Sequence, residues 1–154
     1  MVLKAQIRVA GIADIPRLMV IRMAVKENTL SDPTLITFDD YVKFISSRGK
    51  GWVATLDGEI VGFSIIDVED NNVWALFVDP NFERKGLGKK LQNRMLDWYF
   101  EQTSKSIWLG TEPNTRAADF YLNSGWTKTG LHGKYEIMFE MTAEKWQSIK
   151  ETKE

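Results

Sequence analysis

The fold is decided by the stretch Val78-Asp79-Pro80-Asn81-Phe82-Glu83-Arg84-Lys85-Gly86-Leu87-Gly88-Lys89-Lys90-Leu91. The apolar run at 73–78 predicts a central strand that is covered on both faces. Leu87, Leu91 and Met95 recur at the i, i+4 spacing of a helix. The sequence therefore predicts a strand, a tight loop with two glycines, and a helix that begins at Leu87.

The composition of the loop favours an anion. Gly86 and Gly88 carry no Cβ, so the backbone can approach a ligand closely, and the first amides of a helix are unpaired donors that suit a phosphate. Four cations gather at this helix start, where the helix dipole disfavours them: Arg84, Lys85, Lys89 and Lys90. A solvated basic helix start is the alternative. The loop lacks the Gly-Lys-Ser/Thr of a Walker loop and the third glycine of a dinucleotide fingerprint.

Length and composition narrow the function classes. The 154 residues predict one domain, 1–154. Cysteine is absent and His132 is the only histidine, which argues against disulfide scaffolds, zinc ribbons, iron–sulfur clusters, cysteine nucleophiles and any site that needs two histidines. We expect no metal site. The net charge of −1 indicates neither nucleic acid nor a membrane surface as partner. Without a recognisable signal peptide or membrane span, we expect a cytoplasmic protein.

The order of predicted elements indicates an α/β (α+β) fold. Strands are predicted at 6–9, 52–56, 59–66, 73–78, 107–109 and within 134–141, with a further strand considered at 126–131. Helices are predicted after the N-cap Asp14 as far as Glu27, from the capping box of Thr37 and Asp40, from Leu87, over 115–123 and from Thr142. Asp57-Gly58 predicts a hairpin turn. Helices between strands imply a mixed sheet covered on both faces.

A second motif supports a family resemblance. Asn114-Thr115-Arg116-Ala117-Ala118-Asp119-Phe120-Tyr121-Leu122-Asn123-Ser124-Gly125-Trp126 matches the pattern N-x-x-A-x-x-x-Y-x-x-x-G-[FW]. Together with the glycine loop, in this order and at this separation, it resembles the GNAT superfamily of N-acetyltransferases, whose element order is similar over nearly the whole chain. The resemblance implies a mostly antiparallel mixed sheet with helices on both faces.

The resemblance also implies a donor and its site. The donor is acetyl-CoA, with its pyrophosphate on the amides of 84–89 and its acetyl and pantetheine groups beside the preceding strand. The implied CoA-binding residues are Phe77, Val78, Arg84, Lys85, Gly86, Leu87, Gly88, Lys89 and Asn114. Asn114 is expected as a helix N-cap, as a CoA contact, or as both. Glu83 departs from the usual Gln or Arg of the family pattern, and its role stays open.

The resemblance implies acetyl transfer to a primary amine by direct attack in a ternary complex. Tyr121 is the candidate general acid, and the alternative is a core position beside Ala117 and Phe120. Since the strand before the loop carries no glutamate, the general base stays open among Glu112, Asp67 and water.

The acceptor is a small-molecule amine or a protein or peptide amine. By resemblance, the first two helices and their connection line its site, where Glu27 and Asp32 are candidate carboxylates. Trp52, Trp74 and Trp108 are expected in the core. A homodimer through the late strands is common in the resembled family, but no residue pattern here specifies one. A non-catalytic acyl-CoA-binding module on the same fold is the alternative function, and an interaction protein whose glycine turn binds nothing is a third.

Overall fold

The computed structural model describes residues 4–25, 36–133 and 136–152. Its strands are β1 Ala5–Val9, β2 Gly49–Leu56, β3 Glu59–Asp67, β4 Asn72–Val78, β5 Ile107–Thr111, β6 Thr127–His132 and β7 Glu136–Met141. Its helices are α1 Ile15–Ala24, α2 Phe38–Ile45, α3 Leu87–Gln102, α4 Arg116–Asn123 and α5 Ala143–Thr152, with 3-10 turns at Ile12–Asp14 and Pro80–Phe82. The element order confirms the prediction, including the further strand β6.

The strands form one sheet in the order β1-β2-β3-β4-β5-β7-β6. Every neighbouring pair is antiparallel except β4 and β5, which are parallel. A hydrophobic cluster on one face includes Leu91, Met95 and Tyr99 of α3. The cluster on the other face includes Leu18 of α1 and Tyr41 of α2. The mixed, mostly antiparallel sheet with helices on both faces is therefore confirmed.

Local sequence explains two of the element boundaries. The Thr37 hydroxyl accepts a hydrogen bond from the Asp40 amide at 3.2 Å, and the Asp40 carboxylate accepts one from the Thr37 amide at 2.8 Å, so the predicted capping box starts α2. Asp57 and Gly58 adopt φ angles of 51° and 81° between β2 and β3, as the hairpin turn requires.

Asp14 occupies the predicted N-cap position of α1, but its carboxylate has other partners. Its side chain makes no capping hydrogen bond to α1. Its carboxylate instead accepts hydrogen bonds from the Gly11 amide at 2.8 Å and from both terminal nitrogens of Arg8, at 2.8 and 3.0 Å. The hydrogen bonds from the Arg8 guanidinium and from the Gly11 amide use the carboxylate oxygens, and they lower the pKa of Asp14.

The covering of β4 is less complete than its apolar sequence predicts. It is the fourth of seven strands, yet Leu76, Phe77 and Val78 are only half-buried. The cause is a cleft beside its carboxyl end. No helix among the residues described is long and apolar enough to cross a membrane.

Candidate functional site

The candidate site opens where two neighbouring strands separate. β4 and β5 share a single register pair, Asn72 with Trp108. Around it, the Trp108 amide donates to the Asn71 carbonyl at 3.0 Å, and the Asn72 side-chain amide donates to the Trp108 carbonyl at 3.1 Å. Beyond this point the strands diverge toward Val78 and Thr111. A cleft of about 680 Å³ lies between them.

Most of the predicted site residues line this cleft: Phe77, Val78, Arg84, Gly86, Leu87, Gly88, Lys89 and Tyr121. Lys85 and Asn114 are exposed and lie outside its lining. The prediction of Asn114 as an N-cap is wrong: Thr115 caps α4, with its hydroxyl accepting from the Ala118 amide at 3.1 Å. Asn114 instead adopts a left-handed φ of 59° before the helix, a conformation that asparagine tolerates well.

The loop after β4 holds the N-terminus of α3 against the cleft. Asp79 anchors the loop, since its amide donates to the Val61 carbonyl at 2.8 Å and its carboxylate pairs with Arg17 at 2.8 Å. Arg84 and Gly86 then adopt φ angles of 65° and 76°, and Gly86 directly precedes α3. The chain thereby turns so that the first two residues of α3 form part of the cleft wall, where helix amides suit an anion.

Glu83 has a partner that local sequence does not reveal. Its carboxylate forms an ion pair with Arg116, the first residue of α4. Both side chains line the cleft, so the pair joins the glycine loop after β4 to the helix that follows β5. The acidic departure from the family pattern is therefore balanced by a cation that lies 33 positions away in sequence.

Tyr121 belongs to the core, as the alternative predicted, and it also lines the cleft. Its ring packs edge-on against Trp126, with ring centroids 5.5 Å apart, and at a tilt against Phe139, at 6.1 Å. It is 6% exposed. Burial raises the pKa of Tyr121, which keeps its hydroxyl protonated at neutral pH.

The candidate bases lie apart from the cleft lining. Asp67 is buried at the end of β3, where its carboxylate accepts from Arg48 Nε and from the Glu69 amide, each at 3.0 Å. Glu112 is exposed directly after β5. Glu27 and Asp32, the acidic candidates for the acceptor site, lie outside the described residues, as does the expected end of the first helix at Glu27. No cluster of metal-ligating side chains occurs among the residues described.

Sequence reasoning missed Arg22, in the last turn of α1. Its guanidinium carbon lies 4.1 Å from the centroid of the Phe77 ring, and Arg22 lines the cleft. Burial lowers the pKa of Arg22, and the negative charge of Glu112 partly opposes this effect. The available signal was a cation four residues after the core position Leu18, on the apolar side of the helix.

Two of the tryptophans differ in their surroundings. Trp52 is 2% exposed and belongs to the core, as predicted. Trp74 is half-buried and lines the cleft, with its ring stacked on Phe44 at 4.3 Å between centroids and edge-on to Tyr41 at 5.2 Å. The cleft therefore has an aromatic wall near Arg22.

The fold is similar to solved acetyltransferases. The crystal structure of the PaiA N-acetyltransferase from Thermoplasma acidophilum in complex with coenzyme A superposes with a TM-score of 0.77 at 16% identity, covering 90% of this chain and 99% of that one. The ribosomal-protein-S18-alanine N-acetyltransferase from Escherichia coli gives 0.75 at 18% identity, covering 91% and 94%.

Sequence comparison leads to the same family. An uncharacterized N-acetyltransferase of Archaeoglobus fulgidus is 35% identical over 95 residues, which are 53% of this chain and 64% of that protein. The chain thus spans less than two thirds of the length of this relative, and 51% and 31% of two others. A model of the acetyltransferase (GNAT) family matches residues 15–126, which is more than half of the chain. The chain therefore belongs to the acetyltransferase (GNAT) family.

Proposed function

We propose that this protein is an acetyl-CoA-dependent N-acetyltransferase that transfers an acetyl group to a primary amine by direct attack in a ternary complex. The observation that carries the proposal is the divergence of β4 from β5 beyond Asn72 and Trp108, with the N-terminus of α3 beside the resulting cleft. A narrow cleft between strand edges suits an extended pantetheine chain, and a helix N-terminus suits a pyrophosphate.

The loop residues fit the phosphates of CoA. No atom lies within 4 Å of a Cβ built on Gly86, so the space in front of this backbone is open. Arg84 and Lys89 border the same part of the cleft. Together with the first amides of α3, they would hold the pyrophosphate, while Phe77 and Val78 would lie beside the acetyl and pantetheine groups.

Tyr121 would act as the general acid. In the reaction, the amine nitrogen bonds to the acetyl carbon, the carbon–sulfur bond breaks, and the leaving sulfur takes a proton from the Tyr121 hydroxyl. The resulting phenolate then regains a proton from solvent. Among the described residues, Glu83 is the one carboxylate in the cleft lining, and Arg116 pairs with it. We therefore propose that the amine gives up its proton to water rather than to a side chain.

The pairing of Glu83 with Arg116 also supports a second candidate function. With no unpaired carboxylate found in the described cleft lining, a non-catalytic acyl-CoA-binding module on this fold is the alternative. A binding module would be stabilised by CoA and would release no thiol with any amine.

The decisive experiment measures thiol release from acetyl-CoA with a panel of amines and with peptides that have a free N-terminus. Tyr121→Phe should lower kcat by about 10²–10⁴-fold while changing the dissociation constant of CoA by less than about twofold. Tyr99→Phe is the matched control, because Tyr99 is a buried tyrosine that lies outside the cleft lining. Its variant should retain kcat. Thermal stabilisation by CoA without thiol release from any acceptor would favour the binding module.

A further inference from the structure

Arg22 presents a hydrogen-bond donor that the described protein does not satisfy. Its Nη1 atom is buried and has no hydrogen-bond partner in the part of the chain that the structure describes. The guanidinium lies over the ring of Phe77, at 4.1 Å from guanidinium carbon to ring centroid, and the residue lines the cleft. A ring face attracts a cation but accepts none of the directed hydrogen bonds that a guanidinium can donate. Because no described residue fills this position, an acceptor that enters the cleft would satisfy the donor.

The chemistry of the guanidinium defines this partner. A guanidinium is planar, charged at every physiological pH, and matches a carboxylate with two parallel hydrogen bonds. The Glu112 carboxylate partly opposes the effect of burial on the pKa of Arg22. A ligand carboxylate would supply both the negative charge and the directed acceptors.

The position of Arg22 separates it from the phosphate-binding loop. Phe77 packs with the cluster beneath α1 and α2, whereas Val78 packs with the cluster beneath α3. Arg22 therefore approaches β4 from the α1–α2 side of the sheet, while the glycine loop leads into α3 on the other side. The anion at Arg22 is accordingly distinct from the phosphates at α3.

An apolar surface lies on the same side of β4. Trp74 is half-buried, lines the cleft, and is held by the stacked ring of Phe44 and the edge-on ring of Tyr41. A ligand carboxylate at Arg22 would thus have an aromatic wall nearby for an apolar side chain.

We propose that Arg22 binds the carboxylate of the amine acceptor, so that the acceptor is a free amino acid whose apolar side chain packs against Trp74. This inference rests on the proposed acetyltransferase function. It makes Arg22 a specificity-determining residue: Arg22 positions the amine beside the acetyl group and takes no part in proton transfer.

The test compares acceptors that differ in the carboxylate alone. L-phenylalanine is assayed beside L-phenylalaninamide and 2-phenylethylamine, and L-leucine beside L-leucinamide and 3-methylbutylamine. Thiol release gives kcat and KM for each acceptor with wild type, Arg22→Gln and Arg22→Lys. The variant-to-wild-type ratio for each acceptor cancels the differences in amine reactivity. Arg94→Gln is the control, because Arg94 is an exposed arginine that lies outside the cleft lining and donates to the Ile7 carbonyl.

Arg22→Gln should lower kcat/KM for the free amino acids by about 10- to 100-fold, mainly through KM, as expected for the loss of a charged hydrogen bond. The amides and decarboxylated amines should change by less than about threefold, and Arg22→Lys should give an intermediate loss because it retains the charge without the planar fork. CoA binding should stay within about twofold in each variant. Equal losses for all acceptors, or a wild type that prefers the amides or a peptide N-terminus, would overturn the proposal.

A binding measurement separates failure of this inference from failure of the enzymatic function. Calorimetric titration of L-phenylalanine and L-leucine into CoA-loaded protein requires no turnover. Binding that Arg22→Gln weakens at least tenfold would support the carboxylate site even if thiol release is absent. Failure of the wild type to bind either amino acid while it still acetylates other amines would overturn the inference and leave the acetyltransferase function standing.

Discussion

The two loop glycines should respond in opposite ways to the same added methyl group. Gly86 adopts a φ of 76°, a left-handed conformation that costs an L-residue about 1–2 kcal/mol. Gly88 lies in the first turn of α3, where glycine is about 0.5–1 kcal/mol less favourable than alanine. A Cβ at Gly88 would lie 3.7 Å from the Phe120 ring and 3.9 Å from a Val78 methyl, which are ordinary contacts.

These values give the sign and size of each stability change. For a chain of this length, 1 kcal/mol shifts the Tm by about 2–4 °C. Gly88→Ala should therefore raise the Tm of the ligand-free protein by about 1–4 °C, and Gly86→Ala should lower it by about 2–8 °C. Gly58→Ala is the matched control for the left-handed conformation, since Gly58 has a φ of 81° in the β2–β3 turn, remote from the cleft.

Measurements with CoA should separate effects on protein stability from effects on ligand binding. At a CoA concentration of 100 times the dissociation constant, binding stabilises the protein by about 2.7 kcal/mol. The methyl group of Gly88→Ala adds to the cleft wall and should weaken CoA binding at least tenfold. A tenfold loss of affinity removes about 1.4 kcal/mol of the stabilisation by CoA, and it roughly halves the Tm increase that CoA causes. Gly58→Ala should keep the full increase.

Differential scanning fluorimetry with and without CoA, together with calorimetric titration, measures these quantities. A lower Tm for ligand-free Gly88→Ala would refute the packing argument. An undiminished CoA-induced increase in that variant would refute the placement of CoA against this part of the cleft wall.

Three further predictions concern charges and buried hydroxyls. Glu83→Gln should bind CoA about two- to tenfold more tightly at low salt, because the change removes a negative charge beside the phosphates while Arg116 keeps its own charge. The gain should be smaller at high salt, which screens charges. Weaker binding in a low-salt titration would contradict this prediction. Burial raises the pKa of Tyr99 to about 12, whereas an unfolded tyrosine ionises near pH 10, so the contribution of Tyr99 to stability should be complete below about pH 10 and should be lost as the pH rises toward 12. In denaturant titrations, Tyr99→Phe should therefore lose less stability over that range than the wild type does. Asp67→Ala should lower the free energy of unfolding by about 1–3 kcal/mol, since Arg48 Nε and the Glu69 amide lose their carboxylate acceptor while Glu69 and Asp70 still pair with Arg48. The variant should retain kcat, and a loss of kcat with CoA binding intact would restore Asp67 as the general base.

Local rules account for the parts of the fold that the sequence predicted well. The capping box at Thr37 and the turn at Asp57-Gly58 each depend on residues at most three positions apart, so their geometry can be predicted from the sequence. The absent side-chain cap at Asp14 and the wrong N-cap prediction at Asn114 also have local causes. The guanidinium of Arg8 binds the Asp14 carboxylate, and Thr115 rather than its neighbour Asn114 caps α4.

The candidate site likewise contains some features that the sequence predicted and some that it did not. The glycine loop could be predicted because a left-handed φ at Gly86 and the exposed amides of a helix start follow from residue type and spacing. Spacing could not show that Tyr121 both packs in the core and lines the cleft, since one i, i+4 pattern describes a core residue and a cleft residue equally well. Arg22 escaped prediction because helix periodicity shows which side of the helix a residue occupies but not what it contacts.

The sequence by itself determined the order of the elements, the glycine loop after β4 and the family, because these depend on backbone preferences and on spacings within a few residues. Only the tertiary structure decided that β4 and β5 separate beyond Asn72 and Trp108, and that Arg116 balances Glu83. It also decided that the guanidinium of Arg22 lies over the ring of Phe77. Each of these contacts joins residues more than thirty positions apart, and packing of the helices on both faces of the sheet brings them together.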